Sequence, residues 1–192
     1  MQATNKIRFE SFSDGVFAIG MTLLALGLRV PVLTIASYRT SFQELIPIIP
    51  SILTFVLSFI AIAIFWVNHQ QLSQNISRIT KRRILWLNIL FLLFVTLVPF
   101  VTQTLSASIG SLLSVSMYAF VFFGAAISFS ILRYCIHKME GQRHIPMGRS
   151  VVGPILYFLA IFTPIISIPL TYSLLLIPPL FYFLPKASVS NS

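Results

Sequence analysis

Acidic residues are nearly absent from this chain. Only four of its 192 residues are Asp or Glu, against 13 Lys or Arg, and charged residues of both signs make up 9%. A soluble domain carries about 25% charged residues, so this composition does not cover a water-facing surface. Cysteine is scarcer still: Cys135 stands alone, which excludes an intrachain disulfide and a multi-cysteine metal site. The polar Pro/Ser-rich bias of disordered chains is missing as well. What is present is apolar, with 57% hydrophobic residues and a mean hydropathy of +0.92. That composition describes an integral membrane protein. A spanning helix takes roughly 20 apolar residues, so at most about six spans fit, with short loops and no room for a separate soluble domain.

The apolar runs predict six spans in one domain over 1–192, at about 13–30, 44–69, 84–104, 111–133, 151–168 and 170–184. Alternation of apolar and polar residues, the mark of membrane β-strands, is absent, so the fold class is an all-α integral membrane protein. Ser41 and Glu44 have the spacing of a capping box, and Pro47 and Pro50 imply a bent first turn to the second span. Pro154, Pro164, Pro169, Pro178 and Pro179 punctuate the last two spans, which leaves almost no connection near residue 168. The first span is too long for a signal-peptide core and no A-x-A-like site follows it, so it is expected to stay.

Basic residues set the expected orientation. Lys6, Arg8, Arg78, Lys81, Arg82, Arg83, Arg133, Lys138, Arg143, Arg149 and Lys186 fall on one side, and only Arg29 and Arg39 on the other. The positive-inside rule then places both termini in the cytoplasm. The net charge of +9 reads as contact with anionic lipid head groups rather than nucleic-acid binding.

The four acids, Glu10, Asp14, Glu44 and Glu140, all avoid the middle of a span. Intramembrane ionisable groups mark proton and ion relays, so a buried carboxylate relay and two-carboxylate catalysis both lose support. Polar exceptions cluster instead at one level. Arg8, Ser13 and Asp14 open the first span, while Trp66, Asn68 and His69 close the second. In one reading Ser13 and Asp14 cap a helix, Trp66 belongs to an aromatic belt and His69 lies at the interface. In the other they form an inter-helix network, with Arg8 paired to Asp14 and His69 or Asn68 bonded across. The Ser/Asp/His set lacks a G-x-S-x-G elbow, so no catalytic residues are assigned. Cys135, His137 and His144 lie in a basic loop and read as solvated side chains rather than a metal site.

Along the first span, Phe12, Val16, Ile19, Leu23, Leu26 and Val30 fall on one stripe, with Thr22 at its edge. Gly15, Gly20 and Gly27 lie elsewhere and admit close helix neighbours. No T-V-G-Y-G potassium filter occurs in the chain. From periodicity alone, such a stripe faces lipid or core.

Residues Arg8 to Ile19 contain R-x-x-x-F-S-D-G-V-F-A-I. This motif resembles the first-helix signature of the transmembrane protein 175 family of potassium channels, and Trp66-Val67-Asn68-His69 is similar to the end of that family's second helix. The resemblance implies a single-repeat prokaryotic member in the plasma membrane: a homotetramer with four first helices around a central pore. It implies that Ile19, Leu23 and Leu26 form apolar constrictions and that Thr22 adds a hydroxyl layer. Arg8, Ser13, Asp14, Trp66, Asn68 and His69 would support them. Potassium would be the permeant ion, membrane lipid the surroundings, and no cofactor is implied. Gly20 and Met21 stand where the family pattern leads one to expect Ala and Ile. A secondary transporter and a non-conducting membrane scaffold are the rival classes.

Overall fold

The structure, a computed structural model, describes residues 2–28, 46–74, 76, 82–141 and 147–183, and side chains within these except at 2–5, 47, 147–150 and 181–183. The expected Ser41–Glu44 capping box, the end of the first span at Val30, His144, and the basic residues Arg29, Arg39, Arg78, Lys81, Arg143 and Lys186 lie outside the described residues. Every described element is helical: α1 (Gln2–Leu26), α2 (Ile49–Gln74), α3 (Arg82–Ala107), α4 (Leu112–Met139), α5 (Met147–Phe162) and α6 (Ile168–Phe183). Four of these, α1 to α4, are long and apolar enough to cross a membrane, and α5 and α6 are shorter apolar helices.

Proline explains the irregular ends. A 3-10 turn at Ile46–Ile48 leads into α2 where Pro47 and Pro50 disturb the first turn, and another at Thr163–Ile165 separates α5 from α6. The α1 helix begins at Gln2, well before residue 13. Hydropathy drops at Lys6, Arg8 and Glu10, but helix does not require hydropathy. Lys6 and Glu10 form an i,i+4 ion pair at 4.0 Å, a spacing compatible with helix through the charged turns. Ser13 and Asp14 are therefore interior to a helix, and the capping reading of these two residues is corrected.

The bundle centres on α4, the most deeply buried of the four long helices. Tyr118, Phe122, Ala125 and Phe129 run down it, packed on Phe91, Val95 and Val98 of α3. Aromatic contacts knit α3 to α4, with ring centroids 5.1 Å apart for Phe91–Phe129, while Tyr118 and Phe122 stack along α4 itself at 4.6 Å. A tight turn joins α3 to α4, where Gly110 takes φ +86°, a conformation open to glycine and costly for most other residues. Within the pair, a Cβ on Gly124 would collide with the Phe94 ring, so the missing side chain sets how closely α4 approaches α3.

Leu53, Trp86, Phe100, Leu113 and Leu180 are all exposed. Water tolerates few such residues in contiguous patches; hydrocarbon tolerates all of them. Inside a bilayer, however, apolar side chains gain little by moving from lipid to protein. Helix association there rests on close packing and on interhelical hydrogen bonds. Both are found along α1.

Candidate functional site

The α1 helix presents two unlike faces. Phe9, Ser13, Phe17, Gly20 and Leu24 are buried in the chain. Phe12, Ile19, Leu23 and Leu26 are not: Ile19 is 60% exposed, Leu23 41% and Leu26 78%. Val16 is half-buried, so it belongs to the flank of the stripe, and Val30 is outside the described residues. Thr22 is exposed beside Ile19 and donates its hydroxyl proton to the Ile19 carbonyl at 2.9 Å. As a hydroxyl, its oxygen keeps acceptor capacity after that donation.

The buried face runs along α3 in parallel register. Ser13 meets Asn88, Gly20 lies over Val95, and Gly27 lies against Gln103. These contacts repeat at intervals of seven on α1 and of seven then eight on α3, the spacing of a seam between two helices. A Cβ on Gly27 would come within 2.6 Å of Gln103 Cγ, whereas one on Gly20 would meet Val95 at 3.9–4.0 Å. Gly15 has nothing within 4 Å of such a Cβ and makes no close approach.

Two sets of hydrogen bonds fasten the basic end of α1. In the first, Asn88 Nδ2 donates to Ser13 Oγ at 3.0 Å, and Ser13 donates to the Phe9 carbonyl at 2.9 Å. Asn88 Oδ1 lies 2.9 Å from His69 Nε2. Because a carbonyl oxygen only accepts, His69 must carry its proton on Nε2. The imidazole is 2% exposed and stacks between Phe9 and Phe91, with centroids at 5.5 and 6.0 Å. In the second set, Asp14 Oδ1 accepts from Trp66 Nε1 at 2.9 Å and from Gln70 Nε2 at 3.0 Å. Trp66 and Gln70 are one helical turn apart on α2, so both donors converge on one carboxylate oxygen.

Ser13, Asp14, Trp66 and His69 are thus brought together, and two of the expected partners are not. Arg8 is exposed and makes no ion pair with Asp14. Six residues along a helix is about 9 Å of rise and 240° of rotation, which puts the two side chains on different sides of α1. Asn68 turns away from α1 as well. It donates to the Ile64 carbonyl of its own helix at 2.8 Å and lines a cavity of about 30 Å³ with Tyr157, Pro154, Pro178 and Pro179. That volume holds about one water. Cys135 and His137 lie in the last turns of α4 rather than in a loop, and His137 is buried rather than solvated, with Arg133 Nε donating to its Nε2 at 3.4 Å.

Sequence reasoning missed Asn88 and Gln70. Asn88 is the one amide in the apolar run from Ile84 to Val95, and an uncompensated amide is costly at that depth. That was the available signal.

A second buried cluster ties α2, α3 and α4 farther from the basic end. Thr102 Oγ1 lies 2.8 Å from Ser58 Oγ and 2.8 Å from the Val98 carbonyl, and Ser58 Oγ lies 3.0 Å from the Tyr118 hydroxyl. Thr102 has one proton, and the carbonyl can only accept it. All three contacts are satisfied when Tyr118 donates to Ser58, Ser58 to Thr102, and Thr102 to Val98.

These features define a multi-pass helical membrane protein whose first helix is fastened on one face and bare on the other. Comparison with known proteins gives the narrower class. A family model described as endosomal/lysosomal potassium channel TMEM175 matches residues 8–99. A potassium channel of a Chryseobacterium species is 35% identical over 137 residues, covering 71% of this chain and 68% of that protein. One from Streptomyces collinus is 32% identical over 177 residues, covering 85% and 84% respectively. The crystal structure of a lysosomal potassium-selective channel TMEM175 homolog from Chamaesiphon minutus superposes with a TM-score of 0.77 at 31% identity, covering 93% of this chain and 96% of that one. The chain belongs to the TMEM175 family.

Proposed function

We propose that this protein is a potassium-selective, leak-type cation channel made of four copies around a central pore, with α1 of each copy lining it. Each copy crosses the plasma membrane of a prokaryote six times, α5 and α6 included, with both termini in the cytoplasm. Potassium is the permeant ion and no cofactor takes part. The observation that carries this reading is the bare face of α1. Ile19, Leu23 and Leu26 are exposed on the described structure, while the opposite face of the same helix is hydrogen-bonded in place. The relatives are named as potassium channels, which favours pore over lipid as the surroundings of that face.

The chemistry follows from the side chains. A ring of Ile19, Leu23 and Leu26 from four copies excludes water when narrow and so blocks ions by dewetting. Opening requires those side chains to rotate or retract. Aliphatic rings offer no ligands to replace hydration, so the ion that sheds water more easily, K⁺ rather than Na⁺, passes preferentially. The hydroxyl oxygen of Thr22 compensates part of that dehydration. Among the described residues of α1 there is no repeated series of arginines, the element that makes opening steeply voltage-dependent.

Planar-bilayer recording of the purified protein under a K⁺/Na⁺ gradient tests this directly. Wild type is expected to carry unitary K⁺ currents. Ile19→Asn is expected to raise resting conductance by about tenfold or more, the factor given by removing about 1.4 kcal/mol of barrier. Saturable, substrate-coupled flux without unitary events would make the protein a carrier, and silence of both wild type and variant would make it a scaffold.

A further inference from the structure

A hinge in a packed helix needs a break in the hydrogen-bond ladder, fixed points on both sides, and room to move. The middle of α3 supplies the first two. Pro99 sits inside α3 and has no N–H to return to the Val95 carbonyl, four residues earlier. Asn88 is tied to Ser13 and His69 on one side of this break, and Thr102 to Ser58 of α2 on the other. The Val95, Val98 and Pro99 side chains are all buried, so the break is internal to the bundle rather than at a frayed end.

Room is supplied by α1. The residue over the Val95 carbonyl is Gly20, and a Cβ there would still be 4.0 Å from that oxygen. The space is therefore at least one methyl deep, next to a carbonyl that has lost its intrahelical partner. Gly27 shows the opposite condition one heptad on, pressed against Gln103. Below Gly20, Ser13 and Asp14 are pinned by three interhelical hydrogen bonds. The slack in α1 thus falls at Gly20, between Ile19 and Leu23.

We propose that Pro99 and Gly20 are positioning residues for the gate: α3 bows at Pro99 into the space left by Gly20, and α1 shifts at Ile19–Leu23 while its two ends stay in register. This rests on the channel reading above. Neither residue touches the permeant ion; each acts through the placement of Ile19 and Leu23. Gly20→Ala fills the space at ordinary contact distance without displacing Val95, and Pro99→Ala restores an N–H for the Val95 carbonyl. Both therefore stiffen the same point from opposite sides.

Single-channel recording in planar bilayers tests the proposal, with Gly153→Ala as the control, since a Cβ there meets nothing within 4 Å. Gly20→Ala and Pro99→Ala are each expected to lower open probability about three- to tenfold, the range that one hydrogen bond's difference between two conformations produces. Unitary conductance and the K⁺/Na⁺ permeability ratio should stay at wild-type values. The double variant should fall short of the product of the two effects, because both substitutions act at the Val95 carbonyl. Unchanged open probability in Gly20→Ala, or altered unitary conductance with unchanged open probability, overturns the hinge. Gly20→Ala keeps the test decisive even where Pro99→Ala fails to fold. A wild type without K⁺ current refutes the channel reading, whereas the hinge is refuted only on a conducting wild type.

Discussion

The two buried polar clusters on α3 differ in composition and in what they hold. The cluster at Asn88 joins an amide, an imidazole and a hydroxyl, lies beside the Asp14–Trp66–Gln70 set, and reaches α1. The cluster at Thr102 consists of three hydroxyls and a backbone carbonyl, and it joins α2, α3 and α4 without touching α1. One places the candidate pore helix; the other fastens the frame behind it. Damage to the first should therefore appear in conductance as well as stability, and damage to the second in stability alone.

The sharpest way to break this comparison is Asn88→Ala. It removes two interhelical hydrogen bonds and leaves the buried His69 N–H without an acceptor. A loss of about 1–3 kcal/mol is expected, read as a lowered thermal midpoint in detergent, together with altered conductance in bilayers. Wild-type conductance in this variant would separate the cluster from the pore. Asp14→Ala should cost less, about 1 kcal/mol, because the released Trp66 indole is partly exposed and finds water. Conductance should still change, while Asp14→Asn, which keeps an acceptor oxygen for both donors, should stay close to wild type. Tyr118→Phe should have the smallest effect. It deletes the terminal hydroxyl of the second chain, leaves Ser58 bonded to Thr102, and costs about 0.6 kcal/mol, the average for an interhelical bond in a membrane. Any change in its unitary current would show that the frame also shapes the pore.

The sequence made the first cluster partly legible because polar residues are rare in this chain. Ser13, Asp14, Trp66 and His69 stand out against apolar neighbours, and an antiparallel pair of helices brings them to one level. The choice between Asn68 and His69 was open because adjacent residues point about 100° apart. Only the packing of α2 on α3 decides which of them meets Asn88. Opposite charge suggests a pair between Arg8 and Asp14, but their separation on a helix sets them on different sides of it. The second cluster left no comparable mark. Ser58, Thr102 and Tyr118 are ordinary in membrane helices, where hydroxyls bond back to their own backbone, and their meeting depends on helix rotations that no short motif encodes. The prolines of the last two spans, by contrast, signal a break, expected near residue 168; it falls earlier, at Thr163–Ile165, and Pro169 sits in the first turn of α6. In α3, Pro99 interrupts the ladder without ending the helix, because the surrounding bundle holds both halves.

The parallel seam between α1 and α3 has a consequence for assembly. A slide of α1 by one heptad would set Gly20 opposite Asn88 and Gly27 near Val95, and neither glycine has a side chain to object. Apolar packing alone distinguishes these alignments poorly. The slipped alignment does, however, strand the Asn88 amide against a residue with no hydroxyl, and it carries Asp14 about 10 Å away from Trp66 and Gln70. Ser13 is thus a registration mark, telling one otherwise tolerable docking of the helix from the next, much as a single buried Asn selects the alignment of a coiled coil. In the proposed four-copy pore the apolar rings must stand at one height, and within each chain one serine and one asparagine hold the helix at that level.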